Sequence, residues 1–178
     1  MPARPGGPVL VFALSGLGKS TLARAHPGDV LDADDILYSA VAEGFPGLEP
    51  RDRLLAWRDL CRRKPWVEGG EALLRWAAVR RAFRVPFAEA MREGPYRLVV
   101  TSLFDPPWVA SAFYGVDRGG YLAHLRAAGR LPDNTQSEAM NDRLEGYSPL
   151  VRLAPGSFLG EVPEILALVT GERRDRVE

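Results

Sequence analysis

Between Ser15 and Thr21 the chain reads Ser-Gly-Leu-Gly-Lys-Ser-Thr. Two glycines two apart, followed by a lysine and two hydroxyl residues, are the parts needed to hold a run of phosphates. Gly16 and Gly18 allow backbone conformations closed to other residues, so successive N–H groups can converge on one anion. A helix opening at Lys19 adds the positive end of its dipole. Lys19 can supply a cation to the β- and γ-phosphate oxygens, and the Ser20 hydroxyl a ligand for Mg²⁺. The full pattern of such a P-loop is Gly, four residues, Gly, Lys, then Ser or Thr. It is met from Ala13 to Ser20 except at its first position, where Ala13 stands in place of Gly. The expected ligands are ATP, or a similar nucleoside triphosphate, and Mg²⁺. The expected contacts are Ser15, Gly16, Leu17, Gly18, Lys19, Ser20 and Thr21.

A second cluster follows in Val30-Leu31-Asp32-Ala33-Asp34-Asp35. Read as a strand through Asp34, it puts Asp32 and Asp34 on one face, since side chains two apart share a face. If that strand lies beside the first, both carboxylates face the γ-phosphate at the carboxyl ends of the strands. Asp32 could then support Mg²⁺ through water, and Asp34 could accept the proton of an attacking hydroxyl. Helix capping is the competing reading, because Asp34 or Asp35 could cap a helix beginning at Ile36.

Phosphoryl transfer also needs cations for the charge that develops on oxygen. Arg126 and Arg130 are four apart and share a helix face if the helix reaches that far, with Arg118 just before it. A solvated arginine face is the plainer alternative. Residues 51 to 92 hold 11 Arg or Lys against 5 Asp or Glu, a local net of +6 in a chain of formal charge zero. Trp57, Trp66 and Trp76 are interleaved there, a composition that fits backbone phosphate and stacked bases. Core packing is the ordinary role for any one of these tryptophans. His26 and His124 show no metal-ligand spacing, and Cys61 has no partner motif.

These groups need elements to position them. Val9 to Leu14 is a continuous apolar run, read as a strand buried on both faces, with a helix from Lys19 to Ala25 after the Gly-rich turn. Helices are expected over Asp35 to Glu43, Arg51 to Arg63, Glu71 to Arg84 and Phe87 to Glu93. Tyr96 to Ser102, Ala112 to Val116 and Leu150 to Leu153 read as strands. Tyr121 to Ala128 and Glu161 to Thr170 read as helices, and Arg173 to Glu178 as a frayed tail. Strands alternating with helices predict an α/β fold with a mainly parallel sheet flanked by helices. The 178 residues suit one domain, 1–178, with 51–92 as a helical, substrate-facing insertion.

The order strand, Gly-x-Gly-Lys-Ser-Thr-Leu-Ala, then Val-Leu-Asp-Ala-Asp-Asp resembles the small P-loop kinases. Polynucleotide kinases among them place a base Asp first in an Asp-Asp pair after the second strand, a position matched by Asp34. A closer resemblance is to phage-type kinases that phosphorylate 5-hydroxymethyluracil in DNA. It is carried by His26-Pro27-Gly28, Asp32 to Asp35, Thr101-Ser102, Arg118 to Arg130, and Leu153-Ala154-Pro155-Gly156-Ser157-Phe158. The resemblance implies a P-loop NTPase fold, a lid over 118–130 carrying Arg126 and Arg130, and a hydroxymethyl pyrimidine in DNA as acceptor. One departure is that no Asp ends the Val99-Val100-Thr101-Ser102 strand, so Asp32 would have to support Mg²⁺. Two other functions fit the same loop: a kinase of a free nucleoside, nucleotide or sugar-like alcohol, and a nucleotide-binding regulatory module.

Composition narrows the setting. A single cysteine cannot form an internal disulfide, which fits a reducing cytoplasm. No apolar run approaches the roughly 20 residues that span a bilayer, and Met1 to Pro8 makes a poor signal peptide. No obligate protein partner is evident from the sequence.

Overall fold

The computed structural model describes residues 7–103, 109–117, 120–127 and 141–171. Five strands form one all-parallel sheet: β1 (Val9–Ala13), β2 (Val30–Asp32), β3 (Leu98–Thr101), β4 (Ala112–Val116) and β5 (Leu150–Leu153), in the order β2-β3-β1-β4-β5. Helices α1 (Lys19–Ala25), α2 (Ala33–Gly44), α3 (Pro50–Arg62), α4 (Pro65–Glu68), α5 (Gly70–Glu93), α6 (Tyr121–Ala127) and α7 (Pro163–Thr170) alternate with them. The chain divides into two compact units, one of residues 1–32 and 92–178 and the other Ala33–Met91. The expected α/β architecture holds, with every strand pair parallel.

The first unit contains the sheet. β1 is central, with Val9↔Leu98 and Phe12↔Thr101 in register on one side and Phe12↔Phe113 on the other. Its apolar run is buried because strands and helices cover it all round. Phe12 and Phe113 meet at 5.9 Å, and Tyr147 extends the row at 4.9 Å. Leu22 of α1, Tyr121 and Leu125 of α6, and Ile165 and Val169 of α7 complete this core.

Two expectations about the acidic cluster are corrected here. β2 ends at Asp32 and α2 starts at Ala33, so Asp34 lies in a first helical turn and shares no strand face with Asp32. The first turn is a favourable place for Asp34 and Asp35, since the helix dipole attracts negative charge. Nor does β2 lie beside β1, because β3 intervenes. All four β3 residues are buried, which demands a central position, whereas three-residue β2 serves as a short edge.

The second unit is helical. The two helices expected over Glu71 to Arg84 and Phe87 to Glu93 are one, since α5 runs unbroken from Gly70 to Glu93 through Pro86. A proline inside a helix costs about 3 kcal/mol. Against that, Val79, Phe83, Phe87 and Met91 recur every four residues on one buried stripe, and Phe83 stacks on Phe87 at 5.0 Å. Burying each such side chain contributes about 1.5–3 kcal/mol, so the stripe outweighs the proline. α2 closes onto α5 where Gly44 has no side chain: a Cβ there would lie 2.5 Å from Val79 Cγ2. The sequence reading passed over α4, and it began the last helix at Glu161, where a 3₁₀ turn, Leu159–Glu161, precedes Pro163. The remaining differences are one or two residues at element ends, and the 173–178 tail lies outside the described residues.

Candidate functional site

Strand order reverses at β1: β2 and β3 lie on one side, β4 and β5 on the other. In an open parallel sheet that reversal leaves a crevice at the carboxyl ends of the strands. The loop from Leu14 to Gly18 sits there, between the end of β1 and the start of α1, as the motif requires.

The loop is anchored by its apolar residues. Leu14 and Leu17 are both fully buried, while Gly16 and Gly18 take φ of 90° and 80°. Gly18 occupies the cap position of α1 in the left-handed conformation. A side chain at either glycine would be strained there. It would also be crowded from behind: a Cβ on Gly16 would sit 3.2 Å from Leu125 Cδ2, and one on Gly18 3.0 Å from Phe158 Cδ1.

Three successive carbonyls of the loop are held from elsewhere in the first unit. The Tyr121 hydroxyl donates to Ser15 O at 2.8 Å, His124 Nε2 meets Gly16 O at 2.9 Å, and Leu159 N donates to Leu17 O at 2.9 Å. In a trans peptide the C=O and the following N–H point in opposite directions. Fixing the carbonyls of 15, 16 and 17 therefore turns the N–H groups of Gly16 and Gly18 away from these partners, while Leu17 N donates to Leu14 O at 3.4 Å. Successive amides of a loop in this conformation can form an anion-binding concavity.

His124 is held at both ring nitrogens. Gly156 N donates to its Nδ1 at 2.9 Å, so Nδ1 carries no proton and the neutral ring places its hydrogen on Nε2, which donates to Gly16 O. The ring is buried and packs against Tyr121 and Phe158. None of Tyr121, His124 and Leu159 was read from the sequence as part of the loop. The available signal was Tyr121 and His124 three apart on a helix after a strand, one face of α6.

Lys19, the first residue of α1, is 5% exposed, and its Nζ donates to Leu14 O at 3.3 Å. The ammonium is thus folded over the loop's own backbone. Ser15 and Ser20 are half-buried and Thr21 is exposed. Asp32 is buried at the end of β2, in register with Val100 of β3, so two strand spacings of about 4.8 Å each separate β2 from β1. The β3 end beside β1 carries buried Thr101, whose Oγ1 accepts from Leu103 N at 3.0 Å. Among the described residues no group of three or more His, Cys, Asp or Glu could hold a metal alone.

Asp34 belongs to the second unit and is half-buried in the first turn of α2. Arg126 lies on the exposed side of α6, opposite buried Tyr121, His124 and Leu125. Arg118 and Arg130 lie outside the described residues, and with them most of the lid expected over 118–130. In the second unit Trp57 is core at 7% exposure, Trp76 is half-buried and Trp66 is exposed. A cleft of about 560 Å³ opens between Phe45, Asp59, Arg63, Glu71 and Arg75. Its arginines are already engaged, Arg63 with Glu68 at 3.1 Å and Arg75 Nε with Glu71 at 3.0 Å. Cys61 is an ordinary thiol at neutral pH, pushed up to about 12 by burial against a weaker opposing pull from Arg80. No helix among the described residues is long and apolar enough to cross a membrane.

No protein-family model matches the sequence, and comparison with curated proteins finds no match.

Proposed function

We propose that the chain is an ATP- and Mg²⁺-dependent phosphotransferase of the P-loop kinase type, acting on a hydroxyl acceptor. The observation that carries the reading is the set of anchored carbonyls at Ser15, Gly16 and Leu17, which fixes the backbone of a Gly-x-Gly-Lys-Ser loop in advance of any ligand. Preorganised donors are what phosphoryl transfer needs most, because the protein's part in it is positioning and electrostatic stabilisation. The loop amides hold the β- and γ-phosphates, and Lys19 leaves Leu14 O for a phosphate oxygen. Ser20 would hold Mg²⁺ directly and Asp32 would support it through water, and the ion would neutralise phosphate charge. Asp34 takes the proton of the acceptor hydroxyl as its oxygen bonds to the γ-phosphorus and ADP departs. Arg126 and Arg130 stabilise the charge on the transferring oxygens.

The acceptor is a hydroxymethyl pyrimidine in DNA, supported by the local basic charge of 51–92 and the exposed aromatic surface on the second unit. The 560 Å³ cleft favours a second reading, a small alcohol or nucleoside as acceptor, since its size suits such a ligand. Titration calorimetry with a non-hydrolysable ATP analogue and Mg²⁺ tests the shared part of both. The parent should bind and Lys19→Ala should bind at least about tenfold more weakly. Equal affinity would remove the loop from the account.

A further inference from the structure

We infer that Asn141 is a positioning residue for the glycine-rich loop. Its side chain takes the place of the peptide by which β1 would otherwise continue along β4, and so frees the chain to turn at Leu14. This rests on the proposed phosphotransferase, since it names a residue that shapes the same loop.

β1 and β4 stay in register as far as Ala13↔Tyr114, and beyond that pair Leu14 N donates to Tyr114 O at 3.3 Å. The even spacing of bonds in a parallel pair puts the next two at Val116, its N–H toward Leu14 O and its C=O toward Gly16 N. Instead, Val116 N donates to Asn141 Oδ1 at 3.0 Å, and Val116 O accepts from Asn141 Nδ2 at 3.0 Å. A carboxamide carries an acceptor and a donor side by side, as a peptide does, so it completes the edge of β4 without extending β1. The other edge of β4 belongs to β5, to which Phe113 N and Asp117 N donate through Pro149 O at 2.9 Å and Leu153 O at 3.2 Å.

Leu14 O is thereby kept for the loop. It accepts from Leu17 N at 3.4 Å and from Lys19 Nζ at 3.3 Å. Were Val116 N to take that carbonyl, β1 would run one step further and the Gly16 amide would be drawn to Val116 O. The turn would then open later, and Lys19 would lose the carbonyl on which it now rests.

The substitute peptide is itself held in place. Asn141 is 2% exposed. Arg152 of β5 donates through Nη1 to Val116 O at 3.1 Å and to Asn141 Oδ1, and through Nη2 to Asn141 O at 3.0 Å. Gly115 makes the room: a Cβ there would lie 2.6 Å from Arg152 Nη1 and 2.7 Å from Asn141 Oδ1.

The test compares amide NMR spectra of the ligand-free parent and Asn141→Leu, followed by calorimetry with a non-hydrolysable ATP analogue and Mg²⁺. Leucine is close in volume and cannot bond Val116. The Leu14, Gly16 and Leu17 amide resonances should move while those of β2, at the far edge, stay. Analogue binding should weaken by about fivefold or more. Asn141→Asp keeps an acceptor for Val116 N and leaves Val116 O to Arg152, so it should restore the loop resonances and most of the affinity. Should Asn141→Leu fail to fold, Asn141→Ser, too short to reach both groups of Val116, takes its place with the same expectation. Loop resonances unmoved in the folded Leu or Ser variant would overturn the assignment. So would moved resonances with parental affinity, or an Asn141→Asp protein no better than Asn141→Leu. A parent that does not bind the analogue would remove the phosphotransferase reading, and the ligand-free spectra would still decide whether Asn141 sets the loop.

Discussion

His124 Nε2 lies 2.9 Å from the carbonyl oxygen of Gly16, joining α6 to the glycine-rich loop across 108 positions of sequence. The same ring accepts Gly156 N on its other nitrogen, so one buried side chain ties the loop to the segment after β5. The two bonds are mutually consistent only for the neutral ring with its proton on Nε2.

Removing that ring should loosen the loop more than it damages the sheet. His124→Ala leaves the buried Gly16 carbonyl without this partner, worth about 1–3 kcal/mol, and leaves the N–H of exposed Gly156 to water. We expect a lower melting temperature and about tenfold weaker binding of an ATP analogue by calorimetry. His124→Gln can keep a donor near Gly16 and should recover part of the affinity. A His124→Ala protein that melts lower yet binds the analogue like the parent would show that the ring serves the fold alone.

The acidic cluster separates into roles that substitutions can distinguish. Asp34→Asn keeps size and first-turn position but loses the proton acceptor, so turnover should fall about 100-fold or more with ATP affinity little changed. Asp32→Asn should raise the Mg²⁺ concentration needed for half-maximal rate. A crippled Asp35→Asn beside a mild Asp34→Asn moves the base by one residue. Steady-state rates across a Mg²⁺ series decide among these.

Cys61 gives a stability signature at high pH. Its thiol is raised from an ordinary 9.0 to about 12, chiefly by burial. The folded chain therefore holds a proton that the unfolded chain releases above about pH 9. Stability from this group is complete below that value and is lost as pH rises from about 9 toward about 12. Chemical denaturation at a series of pH values should show a steeper alkaline decline for the parent than for Cys61→Ser. At pH 8 the native thiol should resist alkylation that the denatured chain undergoes readily.

The glycine-rich loop between strand and helix was legible in the sequence because it is local: Gly16, Gly18, Lys19 and Ser20 lie within five positions, and the apolar run before them announces the strand. What holds the loop was not, because Tyr121, His124 and Leu159 are more than 100 residues away and none carries a motif. His124 was weighed only for metal spacing, a test that a neutral hydrogen-bonding histidine does not register. Strand order was hidden for a related reason. Val30-Leu31-Asp32 and Leu98-Val99-Val100-Thr101 both read as strands, but which one neighbours β1 is decided by how well each is buried. The helices expected over 71–84 and 87–93 are one because a four-residue repeat of large apolar side chains outweighs Pro86.

The measurement that bears most directly on the central claim is transfer of label from γ-labelled ATP with Mg²⁺. Plain DNA, hydroxymethyl-pyrimidine DNA, free nucleosides and buffer serve in turn as acceptors. The account predicts labelled hydroxymethyl-pyrimidine DNA with the parent protein and none with a folded Lys19→Ala variant. Label on free nucleosides alone would shift the acceptor to a small molecule. Label transferred to no hydroxyl, or transferred equally by Lys19→Ala, would contradict the claim that this chain is a P-loop phosphotransferase.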